Sequence, residues 1–304
     1  MGKTIEEKKF DAHAVDNPSG DTRVIRLDAV FCHEITTPIA INDLVKRGKD
    51  RVFDPDKIKV VIDHVSPAKD SKTAMQGKIL REWARRNNIK DFFDIGSNGV
   101  CQALFPEKGF VRPGYTVIMG DSHNCTHGSF GAFAAGVGST DLEVGLLKGV
   151  CAFHYPKTIR IDIRGTLQPG VYAKDVILFI INTIGVNGAA GRVVEFTGST
   201  VERMDMASRM TLCNMAIEAG GTSGICHPYE TTLEYLWPFI KYAYPDQAAA
   251  LESFKSLASD PDASYEQVVE IDVSDLPPQT TRGFKPDNVV TVEKLKGKGV
   301  DQVY

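Results

Sequence analysis

Four β-branched runs stand at intervals that leave room for a helix between them: TRVIRLDAVFC (22–32), KIKVVID (57–63), YTVIMGD (115–121) and KTIRIDIRG (157–165). Between the second and third, DSKTAMQGKILREWARRNN (70–88) places Ala74, Ile79, Leu80 and Trp83 at helical spacing. Strands alternating with helices imply an α/β fold, because a largely parallel sheet needs helices to cover its faces.

In an open α/β sheet the ligand lies beyond the carboxyl ends of the strands. The three N-terminal runs end in His33-Glu34, Asp63-His64 and Asp121-Ser122-His123, so acid and imidazole groups converge on one sheet edge. A neutral imidazole passes protons near pH 7, and a carboxylate on its other nitrogen fixes the tautomer and raises its basicity. Neighbours on a strand point to opposite faces, so a productive Asp–His contact need not join sequence neighbours. The competing use of the same residues is a histidine satisfied within the fold, or an aspartate capping a helix.

The segment SHNCTHGSFGAFAAGVGST (122–140) follows directly. Gly128, Gly131, Gly136 and Gly138 would let a ligand approach main-chain N–H groups, and Thr140-x-x-Glu143 reads as a capping box for the next helix. A glycine-rich packing turn is the alternative. A second unit begins near residue 157, with helical patterns AKDVILFIINTIG (173–185) and STVERMDMASRMTLCNMAIEAGG (199–221), the latter opened by a Ser199-x-x-Glu202 box. Asn214 and Glu218 fall on one face of that helix. Glu218 sits in its last turn, where the dipole costs a carboxylate roughly 0.3–1 kcal/mol. Either a partner such as a protonated histidine offsets this, or the residue is exposed and tolerates it. Pro, Asp and Ser thicken through 259–267 and 274–288, which read as loops.

A formal charge of -4 and a pI near 6.0 argue against affinity for nucleic acid, which needs clustered Lys and Arg in excess. Arg81, Arg85 and Arg86 read as a solvated helix face. No apolar run approaches the roughly 18 residues of a membrane span, and the polar N-terminus lacks a signal-peptide core, so the expected location is the cytoplasm, with no membrane attachment. Six cysteines, at 32, 101, 125, 151, 213 and 226, have irregular spacing without a C-x-x-C and read as buried reduced thiols.

GDSHNCTHGSFGAFAAGVGSTDLEVGL (120–146) closely resembles the signature of the aconitase superfamily, and within it the isopropylmalate dehydratase large-subunit family. The resemblance continues through IDHVSP, LFPEKGFVRPGYTVIMGDSH, MTLCNMAIEAGG and PYETTLEYL, and so spans essentially the whole chain. It implies aconitase-like three-layer α/β/α domains at 1–156 and 157–285, with 286–304 leading into a third. It further implies a hydro-lyase that dehydrates, and in isomerases rehydrates, a 2-alkylmalate-type hydroxy-dicarboxylic acid in leucine biosynthesis. The expected cofactor is a 4Fe-4S cluster and the expected partner a small swivelling-domain subunit.

Carried over by position, Asp63 and His64 resemble the pair that protonates the departing hydroxyl. Ser122 resembles a substrate contact, His123 a second imidazole paired with Glu218, and Asn214 the asparagine near the cluster. Asp121 belongs with these catalytic groups, but the histidine that pairs with it in relatives is replaced by Gln102, in GVCQALFPE. Ile39, in HEITTPIA, stands where many members carry Gln. None of the six cysteines matches a cluster ligand; those are expected beyond Tyr304, with VDQVY as the opening of a strand toward them. By itself the chain is then expected to bind no cluster and to be inactive. The alternatives are a related hydro-lyase of dimethylmalate, citramalate, homoaconitate or aconitase type, and a short metal-free paralogue acting as a binding protein.

Overall fold

The computed structural model describes residues 2–18, 20–283, 285–299 and 302. Thr4 and Glu7 form a reciprocal capping box at the start of helix α1 (Ile5–His13). Strands β1 (Ala14–Asp16) and β2 (Thr22–Arg26) pair antiparallel. The run 22–32 is two strands rather than one, because the N–H of Leu27 turns to Gly149 and that of Asp28 to Thr116, after which β3 (Ala29–His33) joins a different sheet.

There follow α2 (Thr37–Lys46), β4 (Ile58–Val61), α3 (Ser71–Arg86), β5 (Phe92–Phe93), α4 (Cys101–Glu107), β6 (Thr116–Met119), β7 (Phe133–Gly136), α5 (Ser139–Lys148) and β8 (Val150–His154). The central sheet is parallel throughout, in the order β5-β4-β3-β6-β7, while β8 pairs with β2. All five residues of β3 are buried, since alternate side chains enter different cores. Ala29 and Phe31 pack with Phe105 of α4; Val30 and Cys32 pack with Ile41 of α2, Leu80 of α3 and Leu142 of α5. Helices on both faces make this a three-layer α/β/α arrangement.

The second half contributes β9 (Lys157–Arg164), α6 (Ala173–Ile184), β10 (Arg192–Thr197), α7 (Ser199–Arg203), α8 (Met206–Asn214), β11 (Ser223–Cys226), α9 (Glu230–Ile240), α10 (Gln247–Leu257), β12 (Gln267–Asp272), β13 (Gln279–Thr281) and β14 (Val289–Thr291). Its parallel sheet runs β11-β10-β9-β12. One face packs on α6 and α8; on the other, Val193 and Ile225 meet Ile5 and Phe10 of α1. Helices α9 and α10, late in the chain, pack into the core beneath the first sheet through Leu233, Leu236, Ile240 and Phe254.

Three local expectations differ from the structure. The helix read over 199–221 is two helices and a 3-10 turn (Ile217–Ala219), because Asp205 leaves the helical conformation and caps α8 through Ser208 N–H. Neither capping box forms: Gly198 and Gly138 are the caps, so Ser199 and Thr140 lie inside their helices, past the amides that need an acceptor. Glu143 instead turns inward and pairs with Arg47 at 3.2 Å. The stretch read as loops holds β13 and borders β12. The strand expected at VDQVY lies outside the described residues, Gln302 apart.

Candidate active site

Beyond β6 the chain forms a 3-10 segment, Ser122–Phe130, in place of an open loop. Asp121 caps it by accepting the His123 N–H at 2.8 Å. Buried Asn124 fastens it beneath the sheet edge, donating to Val117 O at 3.2 Å and Ala135 O at 2.8 Å. The glycines serve this packing: a Cβ on Gly128 would lie 1.8 Å from Gly224 O of β11, and one on Gly136 2.5 Å from Asp121 O. The close approach that Gly128 and Gly136 permit is of chain to chain, while Gly136 also borders a cavity beside Asp121 and Ser122 and Gly138 meets only the Asp141 carboxylate, at 4.0 Å.

His64 is held on both sides. Its Nδ1 lies 2.7 Å from Asp63 Oδ1 and its Nε2 3.1 Å from Asp121 Oδ2. The contact between sequence neighbours is possible because β4 ends at Val61, so the alternating geometry of a strand no longer governs residues 63 and 64. Hydrogen bonds to Asp121 and then Asp63 outweigh partial burial and raise the His64 pKa to about 10. Burial pushes both carboxyls up, yet the His64 hydrogen bond and main-chain donors hold them below the usual range. The His33 ring stacks on that of His64, centroids 4.0 Å apart and planes at 11°. Burial, then the charge of His64, lowers the His33 pKa, so the stack joins a neutral and a charged ring.

The remaining oxygen of each carboxylate is held by the first turn of α4. Cys101 N–H donates to Asp63 Oδ2 at 2.8 Å, and Gln102 Nε2 to Asp121 Oδ1 at 2.8 Å. The Cys101 thiol, 3.0 Å from Gln102 Oε1, orients that amide. Glu34, to which the sequence assigned no role, accepts the N–H groups of Asp63 and Val65 and so fixes the turn that carries His64. Only its place at a strand end could have signalled this.

A second imidazole stands beside the first. His123 Nε2 lies 3.2 Å from Glu218 Oε1, and its Nδ1 3.0 Å from Ser122 Oγ. The Glu218 hydrogen bond raises the His123 pKa. Glu218 lies in the 3-10 turn after α8, so its partner is the histidine although the dipole argument does not apply. Asn214 turns elsewhere and donates to Thr126 Oγ1 at 2.8 Å.

A family model described as the aconitase family (aconitate hydratase) matches residues 5–303. The chain belongs to the aconitase family. The 3-isopropylmalate dehydratase large subunit of Desulfosudis oleivorans is 68% identical over 304 residues, covering 100% of this chain and 70% of that protein. Its counterpart in Geobacter sulfurreducens is also 68% identical, with 71% of its length covered. The large subunit 1 of Methanopyrus kandleri is 43% identical over 305 residues. Among solved structures, aconitase X of Thermococcus kodakaraensis is similar at a TM-score of 0.44 and 12% identity, covering 90% of this chain and 64% of that one.

Iron–sulfur clusters are held by thiolates, and no such set is brought together among the described residues. All six cysteines are free and buried, and no three come together among the described residues. Cys213 and Cys226 form a lone pair, their sulfurs 3.7 Å apart. Burial pushes the Cys32, Cys125 and Cys151 thiols up to about 12, the opposite of what a cluster ligand needs. The group His33, Glu34, Asp63 and His64 could approach a metal ion, but both Glu34 oxygens already accept main-chain N–H groups. No helix of the described residues is long and apolar enough to cross a membrane.

Proposed function

We propose that this chain is the N-terminal portion of a 3-isopropylmalate dehydratase large subunit, a hydro-lyase acting on a 2-alkylmalate in leucine biosynthesis. Its two α/β units meet near residue 157, it works in the cytoplasm with a small swivelling-domain subunit, and the 4Fe-4S cluster is ligated from outside these residues. The observation that carries the reading is His64, held as an imidazolium between Asp63 and Asp121.

In dehydration the carbon–oxygen bond and a carbon–hydrogen bond on the neighbouring carbon break and a carbon–carbon double bond forms; the proton leaving carbon passes to a base outside these residues, and the departing hydroxyl needs a proton from an acid. His64 supplies it, since leaving hydroxide is far more basic than an imidazole of pKa about 10. Asp63 and Asp121 hold the ring in line beforehand and favour its reprotonation afterwards. In rehydration the neutral ring takes a proton back as water adds to the neighbouring carbon. His123, its pKa raised by the Glu218 hydrogen bond, stands with Ser122 where hydroxyl and carboxylate oxygens of the substrate need donors, and Asn214, which donates to Thr126, borders the neighbouring cavity with Gln102.

Such proton transfer contributes roughly 10²–10⁴-fold. His64→Ala in the complete enzyme, assembled with its small subunit, is therefore expected to lose turnover by about that factor. Its circular dichroism should match wild type, because the ring is 34% exposed and lies outside the hydrophobic core, while its unfolding midpoint should fall as Asp63 and Asp121 lose their shared partner. Formation of the unsaturated diacid, followed by its ultraviolet absorbance, measures the loss. Turnover within a few-fold of wild type would refute the role.

A further inference from the structure

Among the described residues two lysine or arginine side chains are buried, Lys9 and Arg209, at 2% and 1% exposure. Lys9 has the carboxylates of Glu6 and Glu195 within electrostatic reach. Arg209, on α8, hydrogen-bonds to neutral acceptors: Glu202 O at 3.0 Å, His227 O at 3.3 Å and Thr232 Oγ1 at 3.4 Å. Its Nε–H is buried and meets no acceptor. The Arg160 Nε–H also lacks one, but that guanidinium lies 4.0 Å from Asp162 and over the Tyr265 ring.

The carboxylates around Arg209 are committed elsewhere. Glu195 of β10 accepts from Ser259 and Tyr265 and meets His227 Nε2 at 2.8 Å. Asp205 caps α8 at the Ser208 N–H. Glu230 of α9 feels the Arg209 charge, yet is exposed and pairs with Lys255 at 2.8 Å. Glu202 of α7 is exposed too, and lends Arg209 its carbonyl. A guanidinium keeps its proton at any pH the fold survives, and a buried charge left without a counter-charge is strongly destabilising.

Arg209 lines a cavity of about 20 Å³ at the carboxyl ends of β10 and β11, together with Thr197, Gly198, His227 and Tyr229. Parallel sheets take ligands at this end of their strands. The volume suits one water or one ion of similar radius and is too small for a carboxylate or phosphate. The Thr197 hydroxyl, 3.5 Å from Ile161 O, is weakly engaged and can donate into it. A water there would satisfy the Nε–H and leave the charge unmatched; an anion meets both needs.

We infer that this cavity binds a small monovalent anion of chloride size, held by the Arg209 Nε–H and the Thr197 hydroxyl. Arg209 already joins the carbonyls of Glu202 in α7 and His227 after β11, so the anion completes a junction from which α8 runs to Asn214 and the turn bearing Glu218. Its effect is on stability, and it is the same whichever acid the enzyme turns over.

The test is made on the complete large subunit. Crystals grown in about 0.15 M sodium bromide, near physiological ionic strength, should show an anomalous peak within hydrogen-bonding distance of Arg209 Nε. In solution, replacing chloride by gluconate at constant ionic strength should lower the urea midpoint, as expected for a ligand that binds the folded chain. Arg209→Met should abolish that dependence. Thr197→Val, which keeps the arginine and the side-chain shape, should raise the chloride concentration needed for half the effect by about tenfold, the worth of one hydrogen bond to a charged group. No bromide peak at Arg209, or one that appears only at molar bromide, would overturn the inference whether or not the variants fold. So would a chloride dependence that is unchanged in both variants.

Discussion

Gln102 donates to the same carboxylate that holds the His64 imidazole, and it carries no titratable proton. Asp121 therefore keeps one hydrogen-bonding partner unchanged across the pH range, and the thiol of Cys101 keeps the amide from flipping. Gln102→His introduces a group titrating near neutrality at the place where the amide nitrogen now meets Asp121 Oδ1 at 2.8 Å. The expected result is a second inflection at mildly acidic pH in the kcat profile of the complete enzyme, absent from wild type; superimposable profiles would exclude this coupling. The other departure, Ile39, lies half exposed on α2, and nothing in the structure gives it a contact with the candidate site.

At the scale of elements, the 3-10 segment Ser122–Phe130 is the piece on which the site depends. It begins at the Asp121 cap, is tied under β6 and β7 by Asn124, and is pressed against β11 at Gly128. Gly128→Ala would drive a methyl group into Gly224 O, and backbone cannot yield as a side-chain tip would. Overpacking of this kind costs about 1–3 kcal/mol or more, so the urea midpoint should fall accordingly and the His123 resonance should shift. A variant with the wild-type midpoint would show that the segment relaxes freely. Much of this was readable: α3, α6, β4, β6 and β9 follow from periodicity, as do β2 and β3, read as a single run. The segment itself was not, because its conformation is imposed by the strands around it and not by its own propensities.

For the whole molecule, two histidines give stability opposite dependences on pH. His127 is fully buried against Phe31 with neither ring nitrogen partnered, and burial lowers its pKa to about 3. Protons then favour the unfolded chain, so its contribution is complete above about 6.5 and falls by roughly 1.4 kcal/mol per pH unit on the way to about 3. His64 has its pKa raised to about 10, so its contribution is complete below about 6.5 and is lost as pH rises through 10. Urea unfolding at a series of pH values should show a fall on both sides of neutrality. His127→Leu should flatten the acid side alone; an acid limb as steep as wild type would assign it to other groups. The sequence by itself determined the α/β class, the acid and imidazole residues at three strand ends, and the buried reduced cysteines, because hydrophobic period and strand termini are properties of neighbouring residues. Only the tertiary structure decided which of those groups meet. His64 reaches Asp121 across 57 positions and His123 reaches Glu218 across 95. Those encounters depend on β4 and β6 flanking β3, and on β11 packing against the Ser122–Phe130 segment. Sheet order is set by how whole faces bury their apolar surface, which no local run of residues encodes.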